Sequence, residues 1–311
     1  MYRCLDLAAK GRGKVGINPM VGSVLVREEK IIAEDFYDHF GAPHAEASLL
    51  KSMKGKIEKN DILYISLEPC CHHGKTPPCT DAILESGVKH VVFGMKDPDS
   101  RVSGKGIEIL KDAGIEVIGP VLPVECRRLN RGYISLRTVG RPWITLKSAQ
   151  TQSGEIANKD GSPMKITSAE QDEWSHEFLR ARHDAVLVGV ETVIRDDPQL
   201  TVRMNKKVEQ NKNLDHVFEP YRVIFDPNGR LPKDAKVKGD KLIVVSSVPG
   251  SEWFVPIEDG HFVWNELWKI LTTSKEGFPG ISSILVEGGK RTWAHFKESQ
   301  LYDEEVILIG N

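Results

Sequence analysis

The sequence predicts an α/β protein of two domains, and three observations carry that expectation. The first half alternates short apolar runs with segments of helical period, and Gly140-Arg141-Pro142 interrupts the alternation. Beyond the break the chain restarts with strand candidates that are apolar almost throughout and are separated by helices. Runs of that kind belong to a mostly parallel sheet covered on both faces. A chain of 311 residues can bury two ordinary cores, so domains 1–140 and 141–311 are expected.

Each element has its own signal. Residues 1–10 form an amphipathic helix stopped near Gly11, and 21–26 and 30–35 are strands around a charged turn. Residues 44–54 have a helical pattern, 61–67 read as a strand, and 79–86 as a helix stopped by Gly87. A strand at 88–95, a helix at 106–113 capped by Gly114, a short strand at 115–118 and one helix at 123–137 complete the first half. The second half opens with a strand at 143–147 and a helix at 168–180, whose N-cap is Ser168. Strands follow at 184–190, 221–225, 241–246, 281–286 and 305–309, with a helix at 290–297. Residues 205–220 are polar, lack a period and read as a surface loop.

Composition narrows the function. The formal net charge is −2, which lacks the basic surplus of a nucleic-acid binder and favours a small-molecule partner. No apolar run reaches the ~20 residues that span a bilayer, and residues 1–10 lack the apolar core of a secretory signal. Five cysteines without such a signal argue against a disulfide framework, and three of them fall within ten residues, a metal-binding density. A cytoplasmic location is expected.

The chemistry concentrates in His44-Ala45-Glu46 and in Pro69-Cys70 with Cys79 nine residues on. A catalytic zinc takes three protein ligands and keeps one position for water. His44, Cys70 and Cys79 meet that requirement, and Glu46, two residues from the histidine, is placed to carry protons between water, ring and leaving amine. This is the His-x-Glu…Pro-Cys pattern of zinc deaminases. The usual Pro-Cys-x-x-Cys spacing is broken, because His73 stands where the second cysteine would be. The longer loop holds polar and cationic groups, which suits a larger, anionic substrate. Two plainer readings stand beside this one. The site could be a closed zinc site with Cys71 or His72 as fourth ligand, or Cys70 and Cys71 could be buried thiols.

The run Leu67-Glu68-Pro69-Cys70-Cys71-His72-His73-Gly74-Lys75-Thr76-Pro77-Pro78-Cys79 resembles the bifunctional riboflavin-biosynthesis deaminase/reductase family. So do Asn18-Pro19-Met20-Val21-Gly22, the segment from Gly41 to Glu46, Thr192 to Pro198, Leu200 to Arg203, and Val286-Glu287-Gly288-Gly289. The resemblance implies a cytidine-deaminase-like α/β/α domain followed by a dihydrofolate-reductase-like α/β domain, with zinc and NADPH as cofactors. It implies hydrolytic deamination of 2,5-diamino-6-(5-phosphoribosylamino)pyrimidin-4(3H)-one, then reduction of the ribosyl to a ribityl group, in a homodimer or larger homo-oligomer. Carried onto this sequence, Asn18, His72 and Lys75 contact the first substrate. Lys75 also has a rationale of its own, an ammonium suited to phosphate. In the second domain Arg180, Leu200, Arg203 and Glu287 match substrate positions. Ala149, Thr192, Asp196, Gly288, Gly289, Lys290, Arg291 and Thr292 match cofactor positions. The Gly pair between an apolar strand and a helix is independently a phosphate-binding arrangement, though a plain tight turn explains it equally well.

The sequence departs from the family in places. The usual Ser-Leu-Asp-Gly stands here as Thr151-Gln152-Ser153-Gly154, and a family tryptophan is replaced around Met164-Lys165. Relatives continue beyond the position of Asn311. These departures sustain an alternative, a deaminase whose second domain is degenerate. A non-enzymatic module with structural zinc is a further alternative, as is a deaminase of bases in nucleic acid.

Overall fold

The computed structural model describes residues 1–72, 77–100, 102–155, 164–203 and 218–310. The chain divides into two compact units, Met1–Gly140 and Arg141–Asn311.

The first unit is built on a five-stranded sheet. Its strands are β1 (Gly22–Arg27), β2 (Lys30–Phe36), β3 (Ile62–Ile65), β4 (His90–Phe93) and β5 (Glu116–Ile118), in the order β2-β1-β3-β4-β5. β1 is antiparallel to both neighbours, whereas β3, β4 and β5 run parallel. The helices are α1 (Tyr2–Ala9), α2 (Ala45–Ser52), α3 (Cys79–Ser86), α4 (Lys105–Asp112), α5 (Pro123–Leu129) and α6 (Arg131–Thr138). α1 buries Cys4, Leu7 and Ala8, the inward face expected of an amphipathic helix. α3 ends on Gly87, whose φ of +85° is the left-handed conformation that a glycine adopts without penalty.

The single helix expected over 123–137 is two helices, divided at Asn130. The cause is a competing hydrogen-bond partner. The buried Asn130 side chain accepts from Met20 N at 2.8 Å and donates to Met20 O at 3.0 Å. It thereby fixes the backbone next to Asn18-Pro19, at the expense of helical geometry at residue 130.

The second unit holds a seven-stranded sheet in which every pairing is parallel. Its strands are β6 (Trp143–Gln150), β7 (Ala185–Gly189), β8 (Tyr221–Phe225), β9 (Leu242–Ser246), β10 (Trp253–Phe254), β13 (Ser283–Gly288) and β14 (Glu304–Ile309), in the order β10-β9-β8-β7-β13-β6-β14. β11 (Ile257–Glu258) and β12 (His261–Phe262) form a separate ribbon. The apolar runs are explained by cores on both faces. Ala185 and Leu187 of β7 enter one cluster with Ile144, Val223 and Phe296, while Val186 and Val188 enter another with Leu179 and Ile224.

The described helices of this unit are α7 (Ala169–Phe178), α8 (Val190–Asp196), α9 (Trp264–Thr272) and α10 (Lys290–Glu298). Ser168 caps α7 as expected, in a reciprocal capping box with Gln171. That helix stops at Phe178, and Arg180–Arg182 form a 3₁₀ turn. α8, α9 and the short strands β10 to β12 were not among the expected elements. The loop expected over 205–220 lies largely outside the described residues.

Candidate active sites

In the first unit the loops that follow the C-terminal ends of parallel β3 and β4 meet the N-termini of α2 and α3, the usual place for a ligand in an α/β sheet. His44 is the N-cap residue of α2, Glu46 lies in its first turn, and Cys79 begins α3. Cys70 arrives on the loop after β3. That loop is held from beneath by Glu68, which is 2% exposed and whose Oε2 accepts from Asp97 N at 3.2 Å and Gly104 N at 3.0 Å. Gly106 allows the close packing, since a Cβ there would lie 2.2 Å from Pro69 O.

The ligand atoms of His44, Cys70 and Cys79 all lie within 4.8 Å of one another. His44 Nδ1 is 3.3 Å from Cys79 Sγ and 3.5 Å from Cys70 Sγ. Bonds of about 2.0 Å for Zn–N and 2.3 Å for Zn–S place the donors of a tetrahedral ion roughly 3.5 Å apart, so the set fits zinc. Cys79 N donates to Cys70 Sγ at 3.3 Å, which orients that sulfur. Among the described residues neither Cys71 nor His72 joins the cluster, so a fourth protein ligand is not assembled.

The electrostatics agree with that arrangement. Hydrogen bonds from Cys79 and His44 hold the Cys70 thiol well below its usual range, while the same Cys70 contact and burial push Cys79 up. Without metal the pair therefore shares one proton, which zinc would displace. The hydrogen bond with Cys70 raises His44. Burial pushes Glu46, 4% exposed, up to about 7, with His44 opposing. A carboxyl that titrates near neutrality can both take and give a proton.

His44, Glu46 and Cys70 line a pocket with Asn18, His72, Tyr37, Asp97, Tyr133 and Arg137. Asn18 Nδ2 donates to Tyr37 Oη at 3.0 Å, and the Tyr37 ring meets His44 edge-on at 5.7 Å. Tyr133 Oη donates to Asp97 at 3.0 Å, and burial pushes the Asp97 carboxyl up. Tyr37, Asp97, Tyr133 and Arg137 belong to no motif of the sequence. Only the spacing of Tyr133 and Arg137, four apart on one helix face, could have hinted at a shared surface. Lys75 lies outside the described residues.

In the second unit two strand-to-helix turns lie side by side. β13 leads through Gly288 and Gly289 into α10, and its parallel neighbour β7 leads through Gly189 into α8. Gly289 has a φ of +56°, and a Cβ on it would lie 3.1 Å from Thr192 Oγ1. A Cβ on Gly189 would lie 2.6 Å from Thr292 Oγ1. The glycines thus keep the turns in contact through Thr192 and Thr292. Lys290 and Arg291 are exposed at the start of α10, beside first-turn amides that have no intrahelical acceptor, a donor set suited to the phosphates of a dinucleotide. Ala149 sits on β6 and pairs with Leu308 of β14, and Asp196 is exposed at the end of α8.

Arg180 and Glu287, expected to face substrate, pair with each other. Arg180 Nε donates to Glu287 Oε1 at 2.6 Å and Arg180 Nη1 to Thr201 O at 2.9 Å. Leu200 is buried with a φ of +55°, and Arg203 is exposed beside His176. In the departed Thr151–Gly154 segment hydroxyls order the turn, with Thr151 Oγ1 accepting from Glu155 N at 3.0 Å and lying 2.9 Å from Ser153 Oγ.

Comparison with known proteins bears on both sites. Residues 1–95 match the model of the cytidine and deoxycytidylate deaminase zinc-binding region, and residues 142–310 match that of the RibD C-terminal domain. The riboflavin biosynthesis protein RibD of Aquifex aeolicus is 41% identical over 317 residues, covering 100% of this chain and 85% of that protein. This chain belongs to the RibD family. RibD of Escherichia coli is 33% identical over 326 residues, covering 100% of this chain and 86% of its own. The crystal structure of a diaminohydroxyphosphoribosylaminopyrimidine deaminase/5-amino-6-(5-phosphoribosylamino)uracil reductase from Thermotoga maritima superposes with a TM-score of 0.76 at 37% identity, covering 96% of this chain and 82% of that one. Acinetobacter baumannii RibD superposes with a TM-score of 0.78 at 32% identity, covering 99% and 84%. As a RibD protein the chain is an enzyme of riboflavin biosynthesis that combines a zinc-dependent deaminase with an NADPH-dependent reductase.

Proposed function

We propose that residues 1–140 deaminate 2,5-diamino-6-(5-phosphoribosylamino)pyrimidin-4(3H)-one at its 2-amino group, and that residues 141–311 reduce the ribosyl group of the product to ribityl. The observation that carries the first step is the convergence of His44, Cys70 and Cys79 on one point, with His44, Cys70 and the buried Glu46 lining one pocket. His44, Cys70 and Cys79 hold the zinc, which when bound supplies the electrostatic activation of water. Glu46 takes the proton from that water and returns protons to the ring and to the departing ammonia. Asn18, held by Tyr37, and His72 orient the pyrimidine, and the resemblance assigns Lys75 to the substrate.

For the second step, Gly288, Gly289, Lys290, Arg291 and Thr292 hold the cofactor phosphates, with Ala149, Thr192 and Asp196 completing the cofactor site. NADPH when bound supplies the hydride. Arg203 and Leu200 hold the substrate, and the Arg180–Glu287 pair fixes the floor beneath them. The exposed apolar side chains Ile307 and Ile309, on the edge strand β14, support a homodimer or larger assembly. Cys4, Cys70, Cys79 and Cys126 form no disulfide with one another, which supports a cytoplasmic location. No helix among the described residues is long and apolar enough to cross a membrane.

The decisive test is Glu46→Gln. Ammonia release should fall by roughly 10²–10⁴-fold while about one zinc per chain is retained. Retained activity would remove Glu46 from its role, and loss of zinc together with activity would point to a structural metal. NADPH oxidation by wild-type protein given the deaminated substrate tests the second unit separately.

A further inference from the structure

His176, in the last turn of α7, is 6% exposed, and both of its ring nitrogens face one residue. Nδ1 lies 3.0 Å from Arg203 N, and Nε2 lies 3.2 Å from Arg203 Nη2. A backbone amide and a guanidinium are donors only, whereas a neutral imidazole has a single acceptor nitrogen. The ring is neutral, because burial and the nearby Arg180 and Arg203 push its pKa down to about 4.

The backbone decides which nitrogen accepts. The Arg203 amide can only donate, and the peptide before its own is held by Arg180 on Thr201 O at 2.9 Å and by Glu219 on Val202 N at 3.0 Å. Nδ1 therefore accepts from it, and the ring hydrogen sits on Nε2. That leaves Nε2–H and Nη2–H as two donors 3.2 Å apart, facing each other without an acceptor among the described residues. A buried imidazole N–H without an acceptor is unfavourable, and one oxygen bridging it and the guanidinium relieves it. The exposure of Arg203 gives such an oxygen a path from solvent.

We propose that His176 is a substrate-binding residue of the second unit, closing with Arg203 on one oxygen of the substrate's phosphate monoester. The proposal rests on the reading of residues 141–311 as a reductase of a phosphorylated compound. It adds to that reading a neutral donor that pairs with the cation and discriminates for the phosphorylated form.

The variant His176→Asn separates clamp from support, because its amide oxygen can replace Nδ1 while nothing replaces Nε2–H. In the full-length protein, KM for the phosphorylated aminouracil should rise roughly ten- to a hundredfold with kcat little changed. KM for the dephosphorylated compound should change far less. An equal rise in both would make His176 a mere support for the loop and overturn the proposal, as would no rise in either. A second measurement stands apart from reductase activity. In protein labelled with [¹⁵N]histidine, inorganic phosphate should shift the Nε2 resonance of His176 saturably, and Arg203→Gln should weaken that response. Should wild-type protein fail to oxidise NADPH, the reductase reading falls and this titration alone decides. A saturable shift then supports the clamp, and its absence overturns it.

Discussion

At the scale of single residues, buried charge is placed with its partner at hand. Arg180 and Glu287 are both largely buried and joined by two hydrogen bonds. Replacing Arg180 by Met strands a buried carboxylate, and urea unfolding should show a loss of about 3–5 kcal/mol. Apolar replacement of both partners together should recover much of it. His176 makes a pH-dependent contribution whose sign follows from its depressed pKa. The unfolded chain takes the proton near 6.5, whereas the folded ring stays neutral to about 4. Its contribution is therefore complete above 6.5 and is lost as pH falls towards 4. Between those values wild-type protein should lose about 1–3 kcal/mol more than His176→Asn, measured by chemical denaturation across the range. The clustering of His44, Cys70 and Cys79 was legible because coordination chemistry restricts residue type and spacing at once. The Arg180–Glu287 pair was not legible as a pair, since its members lie 107 positions apart and each alone reads as a solvated charge.

At the scale of elements, the first site depends on backbones that approach closely. α4 meets the loop that carries Cys70 at Gly106, where even one methyl group would meet the Pro69 carbonyl. Gly106→Ala should destabilise the first unit by about 1–3 kcal/mol and should weaken zinc retention as well, since the strain falls next to a ligand. Metal content after dialysis, read beside thermal unfolding, checks both effects. Strand and helix positions were largely readable, because hydrophobic period and stop signals such as Gly87 are local. The division at Asn130 was hidden, because its cause is a clasp on Met20, which sits 110 residues earlier. α8 escaped notice for a different reason: Val190–Asp196 is too short to show a period.

At the scale of the whole chain, each buried cluster among the described residues draws its members from a single unit. Zinc that binds the folded site more tightly than the unfolded chain stabilises only the unit that holds it. Calorimetry before and after chelation should show one transition moving down by several degrees and a second one unmoved. Movement of both together would contradict that separation. The break at Gly140-Arg141-Pro142 was visible because it interrupts a pattern that resumes beyond it. The parallel second sheet was visible because its strands are apolar on both faces.

Gly189 and Thr292 lie on different turns, and the space beside one is filled by the hydroxyl of the other. Neither position is free to drift alone. An alanine at 189 should be deleterious while Thr292 keeps its hydroxyl, and should become tolerable once 292 is a smaller residue. The two sites therefore form one heritable character, an epistatic pair. In a mutational library of the second unit they should be accepted in combinations that neither single scan would forecast.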